Sequence, residues 1–381
     1  MIRPGALLGL ALVPLSLAAQ VRRPTVWADH VILITLDGVR HQDLFGGADS
    51  ILMANPKSAG IADTADFRKR WWRATGEERR RLVMPFLWDS LVPRGMILGA
   101  DPLNPTLSTN GLKFSAPGYQ EIFTGKAQPD VTSNADRRYA HRTIFDVVRA
   151  ATPRTVPGGA TAVAAFVSWD VQGRLVSSDS GTAIVSAALE PLPTEARFGS
   201  GAVLEKLQGR IGYPDAGMRY DAITHTLALE YLLRYHPRLL HIGLGETDEE
   251  AHHAQYPRLL NALHTADDQM RELWQAVQAD PVLRNRTAIF ITTDHGRGST
   301  PADWSDHGQD VVGADRVWIV GVGVGVPTSG VVKGFGGHQG AVATTLLYLL
   351  GIDPSQLGEG VERSLIDRVP SSNYPGLKSR W

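Results

Sequence analysis

Six acidic and histidine side chains, widely separated along the chain, have the residue types of a site that binds two divalent metal ions and hydrolyses esters. They are Asp37, Asp248, His252, Asp294, His295 and His338. Carboxylate oxygens and imidazole nitrogens bind divalent cations, and paired cations activate a nucleophile and neutralise charge on a phosphoryl group. The chain has no cysteine, so any metal site must use oxygen and nitrogen ligands.

Three short motifs group these side chains. Asp248 and His252 have the i, i+4 spacing that puts both on one face of a helical turn. Asp294 and His295 are adjacent, so together they can bracket two neighbouring ions. The glycines around His338 let backbone and side chain approach an ion closely. Each motif alone is common by chance, so the prediction depends on their combination.

Ser115 is the candidate nucleophile. Pro117 suits the first turn of a helix, which would put Ser115 close to the N-terminus of that helix. Backbone N–H groups and the helix dipole at that end favour an anion, so a phosphoryl group could dock beside the hydroxyl. The alternative is structural, because a serine before a helix commonly serves as its N-cap.

The candidate ligands follow apolar segments that are typical of buried strands. Asp37 and Asp294 each directly follow such a segment, and Asp248 comes shortly after a third. An open α/β sheet binds its ligands just beyond the carboxyl ends of its strands. Side chains at three such ends can therefore converge in one crevice.

Apolar runs alternate with helical patterns, which predicts a three-layer α/β sandwich with a mostly parallel central sheet and helices on both faces. The predicted strands cover residues 31–36, 95–99, 160–168, 239–244, 287–293 and 317–323, and the predicted helices cover 142–151, 218–235, 256–279 and 340–350. We expect one domain over residues 28–370, with a helical insertion near 44–92 after the first strand. A second insertion near 170–215 is rich in Gly, Ser and Pro, which indicates irregular loops or a small cap.

Composition limits the partners and the location. The 381 residues include 38 Lys and Arg against 39 Asp and Glu, so the protein has no strong net positive charge that would attract a nucleic-acid polymer. Residues 1–20 combine Arg3, an apolar stretch and a small-residue cleavage site, which predicts a secretory signal peptide. No later segment is long enough to span a membrane, so we expect a secreted protein or one of the bacterial periplasm. The alternative is an N-terminal segment that is retained as an anchor.

Taken together, the motifs resemble the alkaline phosphatase superfamily, in particular its nucleotide pyrophosphatase/phosphodiesterase-like branch. The similarity runs from Val31 to about Ile352 and follows the family's order of motifs: Leu-Asp-Gly, Ser-x-Pro followed by Thr-Gly, Asp-x-x-x-His, Thr-Asp-His-Gly and Gly-Gly-His. The resemblance implies two divalent metal ions, and zinc suits the ligand set. It also implies hydrolysis of a small-molecule phosphate ester through a covalent phosphoserine.

The resemblance further implies a role for each motif residue. One ion would be bound by Asp248, His252 and His338, and the other by Asp37, Asp294, His295 and the oxygen of Ser115. Ser115 aligns with the family's nucleophile, and Asn134 falls where that branch places an asparagine that donates to phosphate. His307, outside the motifs, is interpreted as a partner that orients a ligand.

Two alternative functions stay open at this point. A sulfatase of this superfamily would carry Arg where this chain has Tyr119, so the residues favour a phosphate ester. A non-catalytic metal or phosphate binder would use Ser115 as an N-cap alone. The choice between monoester and diester is also open, because several cations near the motifs could bind a terminal phosphate: Arg40, Lys113, Arg137, Arg138 and Arg297.

Overall fold

A central eight-stranded sheet runs through the protein. The computed structural model describes residues 27–155, 158–211, 213, 215, 217–366 and 368–369, so the signal peptide predicted over residues 1–20 lies outside the described residues. The strands are β1 (His30–Leu36), β2 (Gly95–Leu98), β3 (Thr106–Leu107), β4 (Val163–Val167), β5 (Ile184–Ala187), β6 (Leu239–Leu244), β7 (Thr287–Thr292), β8 (Arg316–Val317), β9 (Ile319–Gly323) and β10 (Gly330–Val331).

The strands of the large sheet are mostly parallel, as predicted. Their order is β10-β2-β9-β7-β1-β6-β4-β5, and β3 pairs with β8 in a separate two-stranded sheet. In the described part of the chain, β9 alone runs against its neighbours in the large sheet, β2 and β7. Every residue of β1, β6 and β7 is buried, because both faces of the sheet are covered.

Helices form the outer two layers. They are α1 (His41–Gly46), α2 (Ser50–Ala54), α3 (Thr64–Trp71), α4 (Gly76–Val83), α5 (Val92–Arg94), α6 (Ser115–Thr124), α7 (Ile144–Ala150), α8 (Asp170–Leu175), α9 (Gly201–Gln208), α10 (Asp221–Tyr235), α11 (Glu246–His252), α12 (Tyr256–Ala279) and α13 (Ala341–Leu349). Successive side chains of β1 alternate between two cores. Ile32 and Ile34 pack with α10 and α12 on one face, and Val31 and Leu33 pack with α6, α7 and α13 on the other.

Among the residues that the structure describes, no helix has the length and apolar character needed to cross a membrane.

Two segments add detail to the expected architecture. The insertion between β1 and β2 is helical, as predicted, and its Trp71 and Trp88 are buried in the core. The segment 170–215 holds more regular structure than the expected loops or cap, namely α8, the edge strand β5 and α9. Because β5 has four residues in a Gly- and Ser-rich segment, it carries little periodic signal.

The carboxyl ends of three neighbouring strands meet at one edge of the sheet. β1 lies between β6 and β7 and is parallel to both, with Leu36 beside Leu244 and Thr35 beside Thr292. Residues that follow these strands therefore reach the same crevice, where open α/β sheets bind their ligands.

Candidate metal centre

Asp37 and Asp294 form the buried floor of the site, just after β1 and β7. The backbone N–H of Gly38 donates to Oδ1 of Asp294 at 3.0 Å, and Tyr119 donates its hydroxyl hydrogen to Oδ2 of Asp37 at 2.8 Å. Among the described residues, Oδ1 of Asp37 and Oδ2 of Asp294 are buried without a hydrogen-bond partner. Burial, and then the charge of Asp37, raise the pKa of Asp294 well above its usual range. Two buried carboxylates with unpaired oxygens fit a bound cation.

His295 completes this group of ligand atoms. Its Nδ1–H donates to the carbonyl oxygen of Gly296 at 2.9 Å, which leaves Nε2 facing the carboxylates. Nε2 lies 3.4 Å from Oδ1 of Asp37 and 3.5 Å from Oδ2 of Asp294. These gaps match the separation of roughly 3.3 Å between two ligands of a tetrahedral zinc ion with bonds of about 2.0–2.1 Å. Burial lowers the pKa of His295, but the charges of Asp294 and Asp37 outweigh it and raise that pKa to about 9, so a bound cation would displace a proton.

Helix α11 carries a second group. Asp248 and His252 lie one turn apart, with Nε2 of His252 3.0 Å from Oδ2 of Asp248. Nε2 of His307 lies 3.2 Å from Nε2 of His252. Oδ1 of Asp248 accepts from Nη2 of Arg297 and lies 3.7 Å from Nε2 of His295, so the two groups adjoin. In two sets of residues, the ligand atoms lie within 4.8 Å of one another: Asp37, Asp294 and His295, and Asp248, His295 and His307.

Local contacts hold the start of α11 in place. Asp221 accepts from the backbone N–H groups of Gly245 and Glu246 at 2.8 and 3.1 Å, which satisfies donors of the first turn. On the facing turn, Gly38 has a φ of 60°. A Cβ at Gly38 would lie 2.4 Å from Oδ1 of Asp248, so glycine is needed where the turn after β1 passes this carboxylate.

Ser115 is the first residue of α6 and does not act as its N-cap. The N-cap position is Phe114, and no side-chain cap is present. Oγ of Ser115 lies 3.5 Å from Nε2 of His295. A Cβ at Gly118 would lie 2.3 Å from the carbonyl oxygen of Asp294, so glycine lets α6 approach the floor of the site. The hydroxyl therefore joins the first group of ligand atoms.

Asn134 takes up one backbone donor at the start of α6. Its Oδ1 accepts from the N–H of Ala116 at 2.9 Å, and Pro117 has no N–H to offer. Ala116 and Pro117 therefore offer no free backbone N–H to a phosphoryl group. Asn134 lines the cavity of the site, and its Oδ1 is already used by Ala116.

Glu121 holds the loop that leads into α6. This buried carboxylate accepts from the backbone N–H groups of Thr109 and Asn110 at 2.9–3.0 Å and from the Ser108 hydroxyl at 3.2 Å. Burial raises the pKa of Glu121. Sequence reasoning missed this role, although a single charged residue in an otherwise uncharged helix was a signal for it.

His338 lies outside both groups of ligand atoms. Its Nδ1 is 2.8 Å from Oε1 of Glu362, and its side chain is 47% exposed. The neighbouring Gln339 donates to carbonyl oxygens just after β7 at 2.8 and 2.6 Å, so the turn itself packs against the site. The structure brings the other predicted ligands together and adds His307, for which a supporting position was expected.

A cavity of about 140 Å³ opens beside the ligand atoms. Ser115, Asn134 and Glu249 contribute polar walls, and Trp169 and Met218, which are joined by an antiparallel bridge, contribute apolar ones. Among the described residues, no Lys or Arg lines this cavity. Its titratable walls are therefore carboxylates and histidines.

The five cations considered for a terminal phosphate have other partners. Arg40 pairs with Asp43, Lys113 with the carbonyl oxygen of Gln309, Arg137 with that of Asp130, Arg138 with that of Ser177, and Arg297 with Asp248. Burial lowers the pKa of Arg297 to about 9, which still leaves it charged at neutral pH.

The sequence profile of one known family matches residues 64–321 of this chain, and the family is described as type I phosphodiesterase / nucleotide pyrophosphatase. A separate alignment with the mycothiol acetyltransferase of Propionibacterium freudenreichii shows 30% identity over 141 residues, which are 37% of this chain and 42% of that protein. That alignment covers less than half of either protein, so no shared activity follows from it.

Two solved structures with a similar fold are enzymes. The lipoteichoic acid synthase LtaP from Listeria monocytogenes superposes with a TM-score of 0.54 at 13% identity, covering 90% of this chain and 75% of that one. The phosphonate monoester hydrolase of Agrobacterium radiobacter superposes with a TM-score of 0.54 at 14% identity, covering 92% and 78%. At such identities the likeness shows a shared fold. Since the profile matches more than half of the sequence, the chain belongs to the type I phosphodiesterase / nucleotide pyrophosphatase family.

Proposed function

We propose that this protein hydrolyses phosphodiesters with the help of two divalent cations, and that Ser115 is the nucleophile. The observation that carries the proposal is the convergence of three oxygens on Nε2 of His295. Oγ of Ser115, Oδ1 of Asp37 and Oδ2 of Asp294 lie 3.4–3.5 Å from it. A serine with a purely structural role would not need two buried carboxylate oxygens beside its hydroxyl that have no hydrogen-bond partner among the described residues.

Two sets of residues would bind the cations. Asp37, Asp294, His295 and Oγ of Ser115 would bind one; Asp248 and His252 would bind the other, to which the family resemblance adds His338. Carboxylate and imidazole ligands without cysteine suit zinc. When bound, the cations would lower the pKa of the serine hydroxyl and stabilise negative charge on the phosphoryl and leaving oxygens.

Residues of the chain account for the covalent steps. Oγ of Ser115 loses its proton to water and attacks phosphorus; the Oγ–P bond forms as the P–O bond to the leaving alcohol breaks, and the leaving oxygen takes a proton from water. The phosphoryl group on Ser115 still carries the second alcohol of the diester. A water molecule then loses a proton and attacks its phosphorus, the Oγ–P bond breaks, and Oγ regains a proton, which releases a phosphate monoester. The amide nitrogen of Asn134 would donate to a phosphoryl oxygen, because the backbone of Ala116 already holds its Oδ1 at 2.9 Å.

The cavity favours a diester over a monoester. A monoester dianion carries one more negative charge than a diester, and no Lys or Arg among the described lining residues would neutralise that charge. The second ester group of a diester could pack on Trp169 and Met218 instead. The charge of the walls and their apolar part therefore point to the same substrate class.

A panel of three aryl esters tests the proposed function. Turnover of an aryl phosphate, an aryl phosphodiester and an aryl sulfate is measured on the purified protein, with and without a chelator, and again after zinc is restored. We expect the diester to have the highest kcat/KM, the chelator to abolish turnover and zinc to restore it. Turnover of the sulfate alone would identify a sulfatase, and metal binding without turnover of any ester would identify a non-catalytic binder.

Export is part of the proposal and rests on the pattern of residues 1–20. N-terminal sequencing of the protein from a periplasmic fraction should find a chain that begins after this segment. Full-length protein in the cytoplasmic fraction would contradict export.

A further inference from the structure

His307 lies among the proposed metal ligands, although no motif contains it. It belongs to the segment between β7 and β8, and its Nε2 lies 3.2 Å from Nε2 of His252. Its ring lies over that of His295, with 4.1 Å between the ring centres. Ligand atoms of His307, Asp248 and His295 lie within 4.8 Å of one another.

The contact between the two imidazole nitrogens has two physical explanations. In the first, Nε2 of one ring carries a proton and donates it to the other. In the second, both nitrogens are unprotonated and point at one cation, since two ligands of tetrahedral zinc are separated by roughly 3.3 Å. The distance of 3.2 Å between His307 and His252, and that of 3.0 Å between His252 and Asp248, both fit the second explanation.

The other nitrogen of His307 has no strong contact that would decide its protonation. Nδ1 is buried beside the backbone of Lys113, without a hydrogen bond of good geometry to it. A proton on Nδ1 leaves the Nε2 lone pair facing His252, which is the form that binds a metal ion. His338 has a different environment, because its Nδ1 contacts Glu362 and its ring is about half exposed.

We propose that His307 is the third protein ligand of the cation bound by Asp248 and His252, in the place that the family resemblance gives to His338. The inference rests on the proposed function, because it assumes that a cation binds beside α11. It assigns to His338 no direct bond to that cation.

The segment that carries His307 is anchored on both sides of the histidine. Before it, Nη1 of Arg297 donates to the carbonyl oxygen of Ser305, and the N–H of Gly298 donates to that of Asp306 at 3.1 Å. After it, Nζ of Lys113 donates to the carbonyl oxygen of Gln309 at 3.0 Å. A ligand needs such support, because its ring must be held in position before the ion arrives.

A single introduced cysteine tests coordination directly, since the natural chain has none. The variants are His307→Cys, His338→Cys and, as a matched control next to the site, His253→Cys. Each metal-free protein is titrated with Co²⁺, and the near-ultraviolet charge-transfer band of a thiolate bound to cobalt is recorded. We expect this band for His307→Cys and not for the other two. Cobalt binding by His307→Cys without the band would overturn the proposal.

Zinc affinity gives a second readout that does not depend on turnover. Competition with a chromophoric chelator should show two tightly bound zinc ions per chain for the wild type, and likewise for His338→Ala and His253→Ala. For His307→Ala, the affinity for one of the two zinc ions should fall by more than about 100-fold, which is more than the loss of a supporting hydrogen bond usually causes. Circular dichroism of the metal-free variants checks that each is folded.

The outcomes separate the two proposals. A wild type that binds no zinc contradicts the proposed function itself. If the wild type binds two equivalents of zinc, two outcomes overturn the assignment of His307 in place of His338 and leave the proposed function standing. One is unchanged zinc affinity in His307→Ala. The other is an equal loss of zinc affinity in His307→Ala and His338→Ala.

Discussion

Tyr119 donates its hydroxyl hydrogen to Oδ2 of Asp37 at 2.8 Å, and both residues are buried. Oδ1 of the same carboxylate has no hydrogen-bond partner among the described residues and lies 3.4 Å from Nε2 of His295. The tyrosine stands where the sulfatase pattern has an arginine, so in this chain that position supports a carboxylate and brings no positive charge to the site. The contact fixes which oxygen of Asp37 remains free for a cation.

Replacing Tyr119 by phenylalanine should weaken metal binding. Loss of this hydrogen bond leaves Asp37 free to rotate, and the loss of such supporting contacts lowers metal affinity by about 10–100-fold. Competition with a chromophoric chelator measures the change. Tyr139→Phe is a matched control, because the buried hydroxyl of Tyr139 has no partner in the described part of the chain. Equal affinity in the two variants would contradict a supporting role for Tyr119.

Ser115→Ala should lower turnover by roughly a thousandfold or more, because Ser115 carries the only hydroxyl among the described residues that line the cavity. Most of the metal should remain, since Asp37, Asp294 and His295 are unchanged. Mass spectrometry of the wild type, quenched during turnover of the diester, should find a phosphoryl group that still carries the second alcohol of the substrate on the peptide that contains Ser115. Ser133→Ala, at an exposed position, serves as the control. Near-normal turnover of metal-loaded Ser115→Ala would falsify the assignment of the nucleophile.

Asn134→Ala should reduce kcat by about 100-fold and leave zinc affinity unchanged. The asparagine would donate to charge that develops on the phosphoryl group, and one such donor is typically worth about 10²–10³ in kcat. Steady-state kinetics on the diester, together with a zinc titration, separate this role from metal binding. A rise in KM at constant kcat would instead indicate that Asn134 binds the ground state and the transition state equally.

His241 should make the fold sensitive to acid. Its Nδ1–H donates to the carbonyl oxygen of Leu33 at 3.2 Å, and Gln172 lies 3.1 Å from Nε2, so the ring is neutral. Burial lowers its pKa from 6.5 to about 3. Between these values the unfolded chain binds a proton that the folded chain does not, so stability falls as the pH falls from 6.5 to 3.

The variant His241→Gln removes this titration. Its Tm should therefore decrease less steeply than that of the wild type as the pH is lowered from 6.5 to 3, whatever its stability at neutral pH. Thermal unfolding followed by circular dichroism at several pH values measures both slopes. Parallel curves for the two proteins would show that His241 does not contribute to acid sensitivity.

The positions of Asp37 and Asp294 could be predicted because local sequence decides them. Each follows a continuous apolar run, and such runs become adjacent parallel strands whose ends meet. The same signal does not decide which single strand departs from the parallel arrangement. Residues 319–323 were correctly predicted as a strand, but their antiparallel pairing with β7 depends on the connection and not on the residues of the strand.

The position of His307 could not be predicted in this way. Its segment has no periodic pattern, and its place depends on distant contacts such as that of buried Trp304, whose indole N–H donates to the carbonyl oxygen of Ser58 at 3.0 Å. For His338, local sequence predicts the backbone but not the side chain. Its glycine-rich motif predicts the tight turn, but the direction of the ring depends on Glu362, which is remote in sequence.

The pairing of β1 with β6 and β7 also bears on how the site can form during synthesis. β1 begins at residue 30, whereas its two neighbours begin at residues 239 and 287. A growing chain that has exposed Asp37 and Ser115 must wait until β7 has been made before the remaining ligands can join them. Contacts between such distant segments form slowly, because a long loop must close first. Ion capture is therefore expected to be a late event that follows assembly of the sheet, and amino-terminal fragments should be unable to retain zinc.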